Sequence, residues 1–423
     1  MQCSCIIINM KKHQTFTYHG YTVDTEGFSY HFSMDDIVFR PKWTCDIPPE
    51  MLGDDTLNAL VFNLGMVELV SYWKAACPLL VKIACGQLDE WQTAWWKKLY
   101  RKGLGEFFYL NNITPDGDFM HIECTGAPLT VSDSRTLSGC LIPVGGGKDS
   151  IVTLELLRDG MDDNCCYIVG DIKRAYDSAR TAGYPDSRIV GVKRAIDPML
   201  IELNRRGYLN GHTPFSAIVA FSSLIFAYLS GKKYIVLSNE SSANEGNVGG
   251  ADVNHQYSKS TEFERDFREY AARLSPALPE YFSLLRPWNE LQITRVFTRF
   301  PQYFTVFQSC NAGTKTNTWC CKCAKCVYVY AMLAAFLDDE ALQGIFGADL
   351  LADPALAELL DALINPDVDK PFECVGTREE VALALRMAAE RRGVVGATLD
   401  GADLLRYWDN DNFLPQCFAG VFK

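Results

Sequence analysis

The chain has 423 residues, of which 48% are hydrophobic and 22% charged, and its formal net charge is −12. This length predicts two or three domains. A generic nucleic-acid-binding protein would be basic, so the acidic balance disfavours that class and we expect no nucleic-acid partner. The sequence start lacks the features of a signal peptide, and the longest apolar stretch, residues 216–230, is too short and too rich in hydroxyl groups for a membrane span. We therefore expect a cytoplasmic protein without a membrane partner.

Residues 1–137 are predicted to form a mixed α+β domain. The alternation of apolar and polar residues over 28–39 is typical of a strand, and residues 61–78 and 88–110 have the patterns of helices. The second of these helices is rich in tryptophan. Core packing is a simpler explanation than a cofactor site for Trp91, Trp95 and Trp96.

A glycine-rich turn is the most informative feature of the chain. An apolar run at 141–144 leads into Gly-Gly-Gly-Lys-Asp-Ser at 145–150, and an apolar-periodic segment follows at once. This order predicts a strand, a tight turn and a helix start. Unpaired amides and the helix dipole at such a start favour an anion. The pattern indicates a nucleotide site with magnesium, although an ordinary glycine-rich turn remains the alternative.

The type of nucleotide loop follows from the residue order. A Walker A loop needs Ser or Thr after Gly-Lys, whereas Asp149 follows Lys148 here, and the glycine spacing does not fit a Rossmann fingerprint. The string resembles the PP-loop, SGGxDS, of ATP pyrophosphatases, which split ATP between its α and β phosphates. Gly145 stands where that pattern has serine. The resemblance implies magnesium binding by Asp149 and phosphate binding by Gly145, Gly146, Gly147, Lys148 and Ser150.

Residues 138–340 are predicted to form an α/β domain. Strands are expected at 165–170, 187–192 and 232–240, with a buried helix at 216–229. Such alternation favours a parallel sheet flanked by helices, with ligands at the carboxyl ends of its strands. The resemblance of the glycine turn to the PP-loop implies that this sheet is of the PP-loop (HUP-like) kind. Ser238 and Asn239 are therefore further candidates for cofactor binding.

Residues 341–423 are predicted to form a small helical C-terminal region. Amphipathic helix patterns occur at 352–364 and 377–393, and Thr377 with Glu380 predicts a capping box at the start of the second.

A cysteine cluster is the second chemical feature. Four of the 16 cysteines follow the pattern C-x9-C-x2-C-x2-C, which suits a closed, structural zinc site. They are Cys310, Cys320, Cys323 and Cys326. Cys321 is expected to point away. An iron–sulfur cluster and coincidentally buried cysteines are the alternatives. The pattern resembles that of 7-cyano-7-deazaguanine synthase, which is a PP-loop enzyme.

A polar string over 238–274 is the third feature, because long polar loops in compact domains are usually functional or disordered. Its candidate magnesium ligands or bases are Glu240 and Glu245, while His255 and Lys259 could contact phosphate or transfer protons. Cys374, outside the cysteine cluster, is a further proton-transfer candidate, with a buried structural thiol as the alternative. The candidate catalytic residues are thus Lys148, Glu240, Glu245, His255, Lys259 and Cys374.

Several of these strings together resemble the UDP-N-acetyl-α-D-muramoyl-L-alanyl-L-glutamate epimerases of bacterial peptidoglycan synthesis. The strings are the glycine turn, NGHTPFSAI, SNESSANEGNV, VNHQYSKSTEFE, the cysteine cluster and KPFECVGT. The resemblance implies adenylation of a terminal L-Glu by ATP, α-proton exchange, and release of AMP, pyrophosphate and a D-Glu terminus, in the service of cell-wall synthesis, cell shape and division. The cofactors would be ATP, Mg²⁺ and a structural Zn²⁺, and the partner a UDP-MurNAc-dipeptide substrate.

Two other functions stay open from the sequence. One is another PP-loop pyrophosphatase, such as a deazaguanine nitrile synthase or a tRNA-modifying enzyme, although the acidic charge counts against tRNA. The other is a non-catalytic nucleotide-sensing protein with a zinc clip. The retained Lys-Asp-Ser order at 148–150 counts against it.

Overall fold

A computed structural model describes residues 13–132, 135–247, 253–314, 316–394 and 401–422; residues 248–252 of the polar string lie outside it. The strands in these ranges are β1 Thr15–Asp24, β2 Gly27–Met34, β3 Ile37–Phe39, β4 Lys42–Thr44, β5 Leu80–Ile83, β6 His121–Cys124, β7 Ser138–Pro143, β8 Asn164–Val169, β9 Ile189–Ala195, β10 Lys232–Leu237 and β11 Glu280–Ser283. The α-helices are α1 Asp55–Trp73, α2 Glu90–Gly103, α3 Gly105–Leu110, α4 Lys148–Leu156, α5 Lys173–Thr181, α6 Pro198–Arg205, α7 Phe215–Leu229, α8 Thr261–Leu274, α9 Glu290–Phe297, α10 Ala324–Ala334, α11 Asp339–Phe346, α12 Ala357–Ile364 and α13 Arg378–Arg391.

The described residues divide into two compact units, and each combines several segments of the chain. The first contains the residues as far as Ser138, Gly191–Lys233 and Arg265–Glu280. The second contains Gly139–Val190, Tyr234–Glu264 and the chain from Tyr281 onward. Both units contain strands and helices, so the predicted α/β class is confirmed. The three-domain division with boundaries after residues 137 and 340 stays a prediction.

The first unit is built on a mixed sheet. β1 pairs with β2 in antiparallel and with β5 in parallel orientation, and β5 pairs in parallel with β6. The predicted single strand at 28–39 is wrong, because β2 and β3 form a hairpin over this range. Asp35 has a positive φ of 49° at the turn, a conformation that aspartate tolerates better than most residues.

Aromatic side chains fill the core of the first unit, as predicted for the tryptophan-rich segment. Trp95 and Trp96 are buried and pack against Phe221 and Tyr270. The Trp96 indole N–H donates to the Tyr270 hydroxyl at 3.1 Å, so this buried nitrogen has a hydrogen-bond partner. Helix α7 is buried along most of its length, also as predicted. Among the described helices, none combines the length and the apolar character needed to cross a bilayer.

The second unit contains strands in the order β11-β10-β7-β8, and β7 and β8 are parallel. Helices α4 and α5 follow β7 and β8 in the chain, as an alternating α/β pattern predicts. Helix α13 begins with the predicted capping box, in which Thr377 and Glu380 bond to each other's backbone amides. Because β7 and β10 are neighbours, the segments that follow them can contribute side chains to one site.

Candidate active site and metal centre

The glycine turn joins β7 to the start of α4, as predicted. Gly146 has a φ of +84°, and a Cβ atom there would lie 2.8 Å from backbone atoms of Arg174 and Ala175. Only glycine fits this position without displacing the backbone. The Ser150 hydroxyl donates to the Gly147 carbonyl at 2.9 Å, which ties the first turn of α4 to the loop. The free amides of this helix start are suited to an anion.

Lys148 is buried, with 2% of its side chain exposed, and is held between two carboxylates. Its ammonium group donates to Asp149 and to Glu290. Glu290 is the first residue of α9, and a capping box between Asn289 and Gln292 fixes that helix start. Sequence reasoning missed Glu290, although the Asn-x-x-Gln pattern before an apolar run was a usable signal for a helix start.

Three carboxylates converge beside Lys148. Oxygen atoms of Asp149, Glu240 and Glu290 all lie within 4.8 Å of one another. Burial, reinforced by the negative charge of Glu290, raises the pKa of Glu240 to about 7. Burial and Glu290 also raise the pKa of Asp149. When ionised, three carboxylates and one ammonium leave a net charge of −2, and hard oxygen donors of this kind suit Mg²⁺. Asp149 and Glu240 were predicted as possible magnesium ligands, and the structure brings them together.

Glu380 fixes the start of α9 from the start of α13. This buried carboxylate accepts hydrogen bonds from the Ser242 hydroxyl at 2.6 Å and from the Glu290 amide at 2.7 Å, besides closing its own capping box. The sequence indicated Glu380 only as a capping residue. The hydrogen bond from the Glu290 amide to the Glu380 carboxylate, which orients Glu290, depends on the tertiary packing of the starts of α9 and α13.

Cys374 and Lys259 form a pair in the same unit. The Lys259 ammonium donates to the Cys374 sulfur at 3.3 Å, and His255 also hydrogen-bonds this thiol. Burial opposes ionisation, but the Lys259 charge and the His255 bond outweigh it and lower the pKa of Cys374 to about 6. A pKa lowered in this way favours the thiolate, the reactive form of cysteine, at neutral pH. Burial would lower the pKa of Lys259, yet the charges of Cys374 and Glu240 raise it, so the amine stays protonated.

Arg286 explains how residues 19 positions apart in the polar string reach one site. It is fully buried, and its guanidinium donates to the backbone carbonyls of Glu240 and Lys259 and, at 2.9 Å, to the Glu264 carboxylate. One buried cation therefore holds the main chain at both Glu240 and Lys259. Sequence reasoning did not identify this role, because an isolated arginine gives no sign of which carbonyls it will meet.

Three predicted site residues have other partners. Glu245 pairs with the ammonium of Lys370. The Ser238 hydroxyl bonds to that of Thr153 at 2.8 Å, and the Asn239 amide donates to the Ser283 hydroxyl at 3.1 Å. The structure thus places Lys148, Asp149 and Glu240 together and His255, Lys259 and Cys374 together, while Glu245, Ser238 and Asn239 bond to other side chains.

The four predicted cysteines also converge. The sulfur atoms of Cys310, Cys320, Cys323 and Cys326 all lie within 4.8 Å of one another, with 3.7 Å between Cys320 and Cys326 and 3.6 Å between Cys323 and Cys326. Tetrahedral Zn–S bonds of about 2.3 Å imply S–S separations of about 3.8 Å, so the donor set fits zinc. Amides of Gly313 and Cys320 point at the Cys310 sulfur, at 3.1 and 3.4 Å. Such N–H···S contacts stabilise a thiolate ligand.

Cys321 lies outside this group, in line with its odd position in the sequence. Its φ is positive, at 55°, and its thiol points to the carbonyl of Phe346 at 3.4 Å. The unusual backbone at this position turns the extra cysteine away from its four neighbours.

Comparison with known proteins places these features in a family. The model of the MurL N-terminal domain matches residues 8–284, and that of the MurL C-terminal domain matches residues 306–399. The chain belongs to the MurL family. The second match contains all four clustered cysteines and Cys374, whereas the first contains the glycine turn, Glu240, His255 and Lys259. The family resemblance predicted from the sequence is confirmed, while the PP-loop identity of the glycine turn stays a prediction.

Three curated relatives of this MurL-family chain share the name UDP-N-acetyl-alpha-D-muramoyl-L-alanyl-L-glutamate epimerase. The protein from Xanthomonas oryzae pv. oryzae is 35% identical over 354 residues, covering 81% of this chain and 78% of the relative. The protein from Salinispora tropica is 35% identical over 415 residues, covering 92% and 89%. That from Micromonospora sp. is 35% identical over 413 residues, covering 90% and 88%.

Proposed function

We propose that this protein is an ATP-dependent epimerase that converts the terminal L-Glu of UDP-MurNAc-L-Ala-L-Glu to D-Glu in peptidoglycan precursor synthesis. The observation that carries the proposal is the occurrence, in one compact unit, of a buried carboxylate cluster at a glycine turn and a contact between Lys259 and Cys374. The first suits nucleotide activation and the second suits proton transfer. The names of the three relatives supply the substrate.

Activation of the carboxylate comes first in the proposed reaction. A free carboxylate resists removal of its α-proton, because the carbanion would add a second negative charge. Attack of the terminal Glu carboxylate on the α-phosphorus of ATP forms a mixed anhydride with AMP and expels pyrophosphate. The anhydride carbonyl can accept the carbanion's charge, so the α-proton becomes far more acidic.

The glycine turn and the carboxylate cluster would serve this first step. The amides of Gly145, Gly146 and Gly147, with the Lys148 ammonium and the Ser150 hydroxyl, would bind the phosphates. Asp149, Glu240 and Glu290 would hold Mg²⁺, which neutralises charge on the phosphates when bound. Lys148 keeps its proton because both of its acidic partners raise its pKa despite burial.

Cys374 would serve the second step as the base. Its thiolate takes the α-proton from one face of the activated glutamyl group, and Lys259 keeps the thiolate form available at neutral pH. His255 and Lys259 both bond the Cys374 thiol, so they lie on its side of the α-carbon and can exchange protons with it. The proton that returns to the opposite face needs a separate donor. Water finally hydrolyses the anhydride to AMP and a D-Glu terminus. The four clustered cysteines are proposed to hold a structural zinc ion.

A product assay tests the proposal. The protein is incubated with ATP, Mg²⁺ and UDP-MurNAc-L-Ala-L-Glu, and AMP, pyrophosphate and the chirality of the glutamate are measured. We expect all three products to appear together. Substrate-dependent pyrophosphate without D-Glu would instead support another ATP pyrophosphatase, and absence of ATP turnover would support a non-catalytic protein.

Two variants separate the steps. Lys148→Ala should abolish pyrophosphate release, and unchanged release would show that the glycine turn does not bind the nucleotide as proposed. Cys374→Ser should retain substrate-dependent pyrophosphate release but lose incorporation of solvent deuterium at the α-carbon. Cys417→Ser is the matched control, because Cys417 is an exposed cysteine. Deuterium incorporation that persists in Cys374→Ser would exclude Cys374 as the base.

A further inference from the structure

One residue joins the cysteine cluster to the segment that holds the reactive thiol. Lys325 lies between Cys323 and Cys326, two members of the cluster. Its backbone N–H donates to the Glu373 carboxylate at 2.8 Å, and its ammonium donates to the backbone carbonyl of Cys374. Glu373 and Cys374, two consecutive residues of the segment that holds the reactive thiol (the thiol segment), are therefore both bonded to Lys325.

Local geometry ties the orientation of Lys325 to the cluster. Cys323 is the N-cap of α10, and the Cys326 amide donates to the Cys323 carbonyl at 3.0 Å, so the three residues share the first helical turn. Successive helical residues point about 100° apart. While the sulfurs of Cys323 and Cys326 face the cluster, the side chain between them is directed elsewhere. Lys322, just before this turn, is exposed and makes no comparable contact with the thiol segment among the described residues.

The charge of Lys325 also reaches the site. The cations that act on Cys374 are Lys259, His255 when protonated, and Lys325, while the neighbouring Glu373 carboxylate opposes them. Lys325 also favours the ionised form of Glu290 in the carboxylate cluster. A displacement of Lys325 would therefore change the surroundings of Cys374 both in position and in charge.

We propose that the four-cysteine centre, when it holds a zinc-class cation, sets the position of Lys325 and through it the reactivity of the Cys374 thiol. Lys325 is thus a positioning residue, and the centre has a role beyond stabilising the fold. The link to epimerisation rests on the proposed function of Cys374. The coupling between the metal and the Cys374 thiol does not depend on that function, because it is a property of the protein without substrate.

The test measures alkylation of Cys374 by iodoacetamide in the full chain, with peptide mass spectrometry to separate it from the other cysteines. The readout is the ratio of its rate at pH 6 to its rate at pH 9, because this ratio reports the thiolate fraction and cancels changes in access. Mg²⁺ is present throughout. Zinc-loaded protein is compared with protein stripped by a zinc-selective chelator, for the unmodified chain, Lys325→Met and the matched control Lys322→Met.

We expect zinc removal to lower the ratio about fivefold in the unmodified chain and in Lys322→Met, which corresponds to a rise of about one unit in the thiol pKa. In Lys325→Met the ratio should be low already and should not respond to zinc. An equal response to zinc in Lys325→Met would overturn the proposal, as would no response in the unmodified chain.

A second comparison applies if circular dichroism shows that zinc removal unfolds the chain. Zinc-loaded Lys325→Met should then show the lowered ratio, and zinc-loaded Lys325→Arg, which keeps the cation, should restore it to within about twofold. A normal ratio in folded, zinc-loaded Lys325→Met would refute the role of Lys325. Failure of the epimerase assay would leave these alkylation results intact, so the two proposals can fail separately.

Discussion

The Lys259–Cys374 contact allows a quantitative prediction for Lys259→Met. Methionine approximates the length of lysine but removes its charge, which is the largest influence that favours the Cys374 thiolate. Burial of the thiol remains, and burial alone raises a thiol pKa. We therefore expect the pKa of Cys374 to rise from about 6 to about 8 or higher.

The size of the effect follows from the two protonation equilibria. At pH 7 a thiol with a pKa near 6 is about 90% ionised, and one with a pKa near 8 is about 10% ionised. The alkylation rate at pH 7 should accordingly fall about tenfold in Lys259→Met. The assay is a pH profile of Cys374 alkylation from pH 5 to 10, read at the peptide level by mass spectrometry.

The control for this prediction is Lys259→Arg, which keeps a positive charge at the position. Its profile should keep a midpoint near that of the unmodified chain. A midpoint in Lys259→Met that lies within about half a unit of the unmodified value would show that Lys259 does not sustain the thiolate. The assignment of Cys374 as base would then lose its electrostatic support.

Three further predictions concern the metals and the buried arginine. Glu290→Gln should raise the Mg²⁺ concentration for half-maximal pyrophosphate release at least about tenfold, because one of three carboxylates is lost; an unchanged Mg²⁺ dependence would exclude Glu290 as a ligand. Metal analysis should find one zinc per chain in Cys321→Ser but substantially less in Cys323→Ser, and iron with visible absorbance would refute zinc. Arg286→Met should lower the free energy of unfolding by about 3–5 kcal/mol, because it leaves a buried carboxylate unpaired, whereas exposed Arg295→Met should change it by less than about 0.5 kcal/mol in denaturant titrations.

Local patterns predicted much of this fold and part of the site. The glycine turn, the buried helix α7, the capping box of α13 and the convergence of four cysteines all follow from residues close together in the chain. In each case the physical cause is short-range: a helix start needs caps, and a metal site of closely spaced thiolates can form within one loop and one helical turn.

Long-range contacts account for what the sequence did not reveal. Glu290 reaches Lys148 from 142 positions away, and Lys259 reaches Cys374 from 115 positions away. Nothing in either local segment specifies such a partner, because the contact depends on neighbouring strands and on helix starts that pack together. The split of residues 28–39 into two strands was missed for a different reason, since the Asp-Asp turn interrupts the alternation by only two residues.

Arg286 fixes the backbone at Glu240 and Lys259 without using the side chains of these two residues. Its guanidinium donates hydrogen bonds to the backbone carbonyl oxygens of Glu240 and Lys259, and every amino acid has such an oxygen. These hydrogen bonds do not involve either side chain. Replacing either side chain should therefore keep the backbone of both positions in register. Other acids, bases or metal ligands could then be substituted at these two positions without a change in the conformation of the backbone there.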